Sequence, residues 1–186
     1  MKLSGNILEY NRMDRRLRKT EEAVQNALIE LVTKEGYENL KMIDVINKAD
    51  INKSTFYLHY QSLLGVSFAI EDRLIAELLD ILHEDYDDSE TRLDSVLTLV
   101  KNSRKAYQTV LSISEGHFYK KLEINMDPFL PSFSTSKAER ELSKYKKAAL
   151  FGSLFGAIRS YVYGNNRSDQ KKILDVLLEI LDLSSK

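Results

Sequence analysis

The 186-residue sequence contains no cysteine, which excludes disulfides and thiolate metal sites and fits a reducing compartment such as the cytoplasm. Proline is nearly as scarce, with two residues, Pro128 and Pro131, in one short stretch, and there are only 7 glycines. Residues that break helices are therefore few, and an all-α chain is expected. Long apolar runs are missing too. The longest run of small and apolar residues, 148–158, falls far short of the roughly 20 residues that cross a bilayer, so no membrane association is expected. Residues 1–10 mix Lys2, Asn6 and Glu9 among apolar side chains and do not read as a secretory leader.

A strong excess of either charge is also absent. The net charge is −1, and residues 1–60 carry 10 Lys+Arg against 9 Asp+Glu, leaving 17 and 19 for the remainder. A polycation that coats nucleic acid regardless of sequence is excluded, and any DNA contact must be local. No serine, histidine and acid arrangement, glycine-rich phosphate loop or H-E-x-x-H pattern occurs, so neither enzymatic activity nor a cofactor or metal is expected. His83 with Glu84, Asp85, Asp87 and Asp88 is acidic but not at helical ligand spacing, and it reads as a solvated turn. His117 has no evident partner in the sequence.

What is present is helical periodicity. Val24, Ala27, Leu28, Leu31 and Val32 recur at three- and four-residue steps within a helix over 17–35, which Gly36 stops with Tyr37 backing the cap. Met42, Val45, Ile46 and Ala49 mark a short second helix. Asp50, Ile51 and Asn52 break the pattern, and Asn52 caps a third helix from Lys53 to Tyr60. A long helix over 63–83 follows through Val66, Ile70, Leu74, Leu78 and Leu82, then an acidic break at 85–90 that reads as an interdomain hinge. Shorter helices are expected over 92–100, 107–114 and 118–124, with a loop over 126–136. Helices over 137–163 and 168–183, joined by a turn at 164–167 and the second capped by Ser168, complete an all-helical architecture. The expected division is an N-terminal three-helix unit over 1–62 and a helical bundle over 63–186.

The segment KMIDVINKADINKSTFYLHY, residues 41–60, has two short helices joined by a tight turn with an inward apolar residue, the arrangement of a helix-turn-helix. Val45, Ala49, Asp50, Ile51 and Asn52, followed by Thr55, Phe56, Tyr57, His59 and Tyr60, resemble the pattern of the TetR/AcrR family of transcription regulators. The likeness covers about the first third of the chain. Lys41 stands where the family usually has threonine, Asp50 where it has glycine, and Leu63 where it has lysine, while Ile43 sits where a polar residue is usual. The resemblance implies repression of transcription from a double-stranded DNA operator, with a small-molecule effector bound among the middle helices.

The same residues make physical sense by themselves. Phe56 and Tyr60 lie four apart, so both can pack inward and leave Lys53, Ser54, Tyr57 and Leu58 facing away. A helix of this kind enters the major groove, where Lys53, Ser54 and Thr55 can donate to base edges or phosphates and Leu58 can touch a thymine methyl. Tyr57 and His59 are expected at phosphates, and Lys41, before the preceding helix, is a further candidate for DNA contact. Arg12, Arg15, Arg16, Arg18 and Lys19 form the main basic cluster. Further along, Tyr107, Phe118, Tyr119, Phe129, Phe133 and Tyr145 are candidates to line a ligand cavity. The last two helices carry apolar residues on more than one face. Phe151, Phe155 and Ile158 on one, and Leu174, Leu177, Leu178 and Leu181 on the other, are expected in a homodimer interface, with Gly152 permitting close approach beside Gly156. The competing reading is a helical interaction protein that keeps this architecture without binding DNA.

Overall fold

The computed structural model describes residues 3–130, 137–164 and 170–184. Among them are eight α-helices and no strand: α1 (Leu3–Glu35), α2 (Met42–Lys48), α3 (Lys53–His59), α4 (Leu63–His83), α5 (Ser89–Asn102), α6 (Arg104–Met126), α7 (Lys137–Tyr163) and α8 (Gln170–Ser184). A 3₁₀ turn, Asp127–Phe129, follows α6. None of the described helices is long and apolar enough to cross a membrane.

Helix ends follow from local chemistry. Gly36 takes φ +79° and its N–H reaches Val32 O at 3.0 Å, so α1 stops where a residue without Cβ allows a left-handed cap. At the end of α2, Asp50 N–H bonds Asn47 O at 3.2 Å and Ile51 N–H bonds Ile46 O at 3.3 Å. This is a Schellman motif, with Asp50 in its left-handed position at φ +52°. Asn52 caps α3, Ser62 caps α4 through Gly65 N–H at 3.0 Å, and Asp88 caps α5 through Thr91 N–H at 2.7 Å.

The structure departs from the periodicity in three places. Helix α1 begins at Leu3, well before the expected 17, because a polar stretch continuing a helix has no apolar stripe to mark it. The two helices expected at 107–114 and 118–124 are one element, α6, broken only at Ser114 (φ −147°, ψ 39°). The acidic segment at 85–90 is the turn that ends in the Asp88 cap together with the first residues of α5, and not an interdomain hinge, since one apolar cluster runs from Val24 of α1 to Leu177 of α8. The expected turn at 164–167 and cap at Ser168 involve residues 165–169, outside those described. Helix α4 packs mainly along α6, and α7 along α8. Arg104 Nε donates to Val162 O at 2.8 Å and its Nη2 donates to Gly164 O, so the start of α6 satisfies carbonyls at the end of α7.

Candidate nucleic-acid interface

The angle of α3 is fixed from inside. Phe56 is fully buried and Tyr60 nearly so, with their rings 5.9 Å apart; burying the phenylalanine alone contributes about 2 to 3 kcal/mol. Burial also raises the Tyr60 pKa, against the lowering effect of its bond from Gln25. The opposite side of α3 is open to solvent. Leu58 is 84% exposed and Tyr57 48%, while Lys53 and Ser54 are exposed and Lys53 Nζ lies 5.9 Å over the Tyr57 ring.

Asn52 organises the start of this helix. Its Oδ1 accepts from Thr55 N–H at 2.9 Å, Thr55 Oγ1 at 2.8 Å and Ser54 Oγ at 2.7 Å. Both hydroxyl protons are thus directed at the cap. On α2, Lys41 precedes the first turn and donates its own N–H to Asp44 Oδ2 at 2.9 Å; lysine has no acceptor with which to complete a capping box. Ile43 is 48% exposed, and Lys48 is held at 2.5 Å by Glu30 of α1.

His59 does not join the outward group. Its side chain is only 6% exposed, with Nδ1 3.3 Å from Glu21 Oε1 of α1, so it braces α3 against α1 instead of facing phosphates. The basic cluster lies inside α1, not at its start: Arg15, Arg16, Arg18 and Lys19 are exposed, and the side chain of Arg12 is outside the described residues.

Beyond α1 to α3, a cavity of about 100 Å³ opens among α4 to α8, with an almost wholly apolar lining that includes Tyr107, Leu111, Phe118, Phe151, Phe155 and Leu177. Tyr107 and Phe118 are thus where the sequence put them. Tyr119 is not in the lining but packs edge-on to Phe151 and Phe155 at 5.0 and 4.9 Å. Phe129 sits 5.0 Å from His83, Tyr145 is 72% exposed, and Phe133 is outside the described residues. The residues expected between two copies are largely used within one chain. Phe151, Leu174 and Leu177 are buried, Phe155 and Ile158 line the cavity, and Leu178 packs on the core. A Cβ at Gly152 would meet Tyr119 Oη at 3.8 Å, whereas one at Gly156 would meet nothing within 4 Å. The side chain of Leu181 is outside the described residues.

No family model matches the chain. Among solved structures it is similar to a TetR transcriptional regulator from Streptococcus agalactiae 2603V, with a TM-score of 0.66, 22% identity, and coverage of 92% of this chain and 98% of that one. The chain has the fold of the TetR-type regulators. The dihydroxyacetone kinase operon activator DhaS is also similar, with a TM-score of 0.54 and 18% identity over 88% of this chain and 97% of that one. A curated relative, the uncharacterized HTH-type transcriptional regulator YxbF of Bacillus subtilis, is 33% identical over 79 residues, 42% of this chain. The matched segment spans about a fifth of that relative, 21% of its length.

Within this TetR-type fold, two polar groupings have no counterpart in the sequence reading. Gln25 Nε2 donates to Tyr60 Oη at 3.3 Å, and Arg73 Nε donates to Gln25 Oε1 at 3.1 Å while its Nη1 reaches Glu77 at 3.2 Å. A chain of hydrogen bonds therefore joins the end of α3, through α1, to α4. Glu71, fully buried on α4, accepts from Ser114 Oγ at 2.5 Å, at the break in α6, and lies 2.7 Å from His117 Nδ1. The His117 ring stacks on Phe68 at 4.0 Å. The partners that join different helices are 35 to 48 residues apart and leave no local pattern by which a sequence could announce them.

Proposed function

We propose that the chain is a sequence-specific, DNA-binding transcription regulator of the TetR type. It acts in the cytoplasm as a homodimer that represses from a pseudo-palindromic operator and is relieved by a small effector. The observation that carries this reading is the division of α3: Phe56 and Tyr60 are buried and Lys53, Tyr57 and Leu58 turn away from the protein. An exposed helix side of this width is what a major groove accepts. The exposed Arg15, Arg16 and Lys19 supply cations for backbone phosphates.

The apolar cavity supports an effector that is small and uncharged, since its lining offers almost no polar group to replace water. For the dimer, the outward side of α7 is the available surface. Tyr145, Ala149, Ser153, Gly156, Ser160 and Tyr163 are exposed and fall on one helical face.

Selection of genomic DNA by the purified protein tests the function. Enriched fragments should share an inverted repeat, and Tyr57→Ala and Lys53→Ala should each reduce enrichment at least tenfold (about 1.4 kcal/mol). Uniform, sequence-blind retention that vanishes with added salt would reject the reading.

A further inference from the structure

The outward side of α2 and α3 is more apolar than a surface facing a polyanion requires. Leu58 is its most exposed large apolar group at 84%, and Ile43 adds an aliphatic side chain at 48%. A single exposed leucine carries little meaning. Its neighbours give this one a context. Leu58 lies four residues after Ser54 and three after Thr55, so the three share one side of a seven-residue helix. On that side both hydroxyl protons already point at Asn52 Oδ1, so neither is free to donate to a base. The Ser54 and Thr55 oxygens can still accept from a base amino group, but the isobutyl group of Leu58 is the most exposed apolar group on that side, beside exposed Lys41 and Lys53, whose charge suits phosphates.

In the major groove an apolar side chain has one specific target, the C5-methyl of thymine; the edges of guanine, adenine and cytosine present polar groups. We infer that Leu58, seconded by Ile43, reads thymine methyls, so that the operator is specified by thymine at fixed positions more than by hydrogen bonds from Ser54 and Thr55. The inference rests on the DNA-binding function proposed above. It differs from phosphate gripping, because losing a methyl leaves every phosphate and every base-pair hydrogen bond in place.

The test uses the full-length protein and a duplex carrying its selected site. Each thymine is replaced in turn by deoxyuridine, which lacks only the methyl. Binding should weaken about fourfold at one or two positions in each half-site, the ratio expected for one methyl leaving water. Leu58→Ala should bind the thymine and uracil duplexes equally at those positions, while Leu58→Met should keep the discrimination. At 84% exposure, neither substitution disturbs the core. A defined site with no uracil-sensitive position overturns the inference and leaves the regulator reading standing, as does sensitivity that survives in Leu58→Ala. If the patch instead meets another copy of the protein, Leu58→Ala changes the sedimentation of the free protein without changing DNA affinity, and that outcome also overturns it. Failure to select any site rejects both readings.

Discussion

Asp50 occupies a backbone position, φ +52°, that costs a residue with a Cβ about 1 kcal/mol more than glycine, less for aspartate than for most. Asp50→Gly is therefore expected to stabilise the protein by about 0.5 to 1 kcal/mol, read as a rise in Tm. A fall would mean that the carboxylate does something for the fold that its exposure hides. Tyr107 makes the opposite kind of demand. Deep burial pushes its phenol well above the ordinary value of 10.0, so the folded protein holds the proton more tightly than the unfolded chain. The stability linked to it is complete below pH 10 and drains away as pH rises from there. Urea unfolding followed from pH 8 to pH 11 should show this decline, and Tyr107→Phe should flatten it; an equal slope in both proteins would assign the decline to other groups.

At the scale of single elements, α3 and α6 show what side-chain caps and breaks contribute. Asn52→Ala removes the acceptor that gathers Thr55 N–H and two hydroxyls, and should cost about 1 kcal/mol of stability. It also releases the Ser54 and Thr55 hydroxyls, and since specificity is assigned to Leu58 rather than to them, operator affinity should fall no further than global stability does. In α6, Ser114→Ala strips one hydrogen bond from the buried Glu71 carboxylate, at a cost of about 2 kcal/mol, measured by urea denaturation. A change under about 0.5 kcal/mol would place the carboxylate's support in His117 instead. The ends of α1 and α2 and the burial of Phe56 were legible in the sequence because each depends on residues within one or two turns. His59 misled for the same reason: its spacing is compatible with either side of α3, and what settles it is Glu21, 38 residues earlier. Likewise, apolar stripes on α7 and α8 announced burial correctly but not by whom. Phe151, Leu174 and Leu177 are covered by their own chain, leaving a more polar, small-residue face outside.

For the whole molecule, that outer face of α7 gives the dimer proposal a sharper form than the sequence allowed. Gly156→Arg fills space that is open in one chain and improves local helix propensity, so the fold should persist while sedimentation at micromolar concentration shifts from dimer to monomer. A wild-type monomer, or a variant that remains dimeric, would remove this face from consideration.

The hydrogen-bonded path from Tyr60 through Gln25 to Arg73 makes the first three helices a block geared to α4. With 21 residues, α4 is a lever roughly 32 Å long. Tilting it by about 5° about its far end would carry the block roughly 3 Å, close to the spacing of one base-pair step. In the dimer proposed above, a slight rotation inside the helical body would be enough to throw the two heads out of phase with the grooves of one operator.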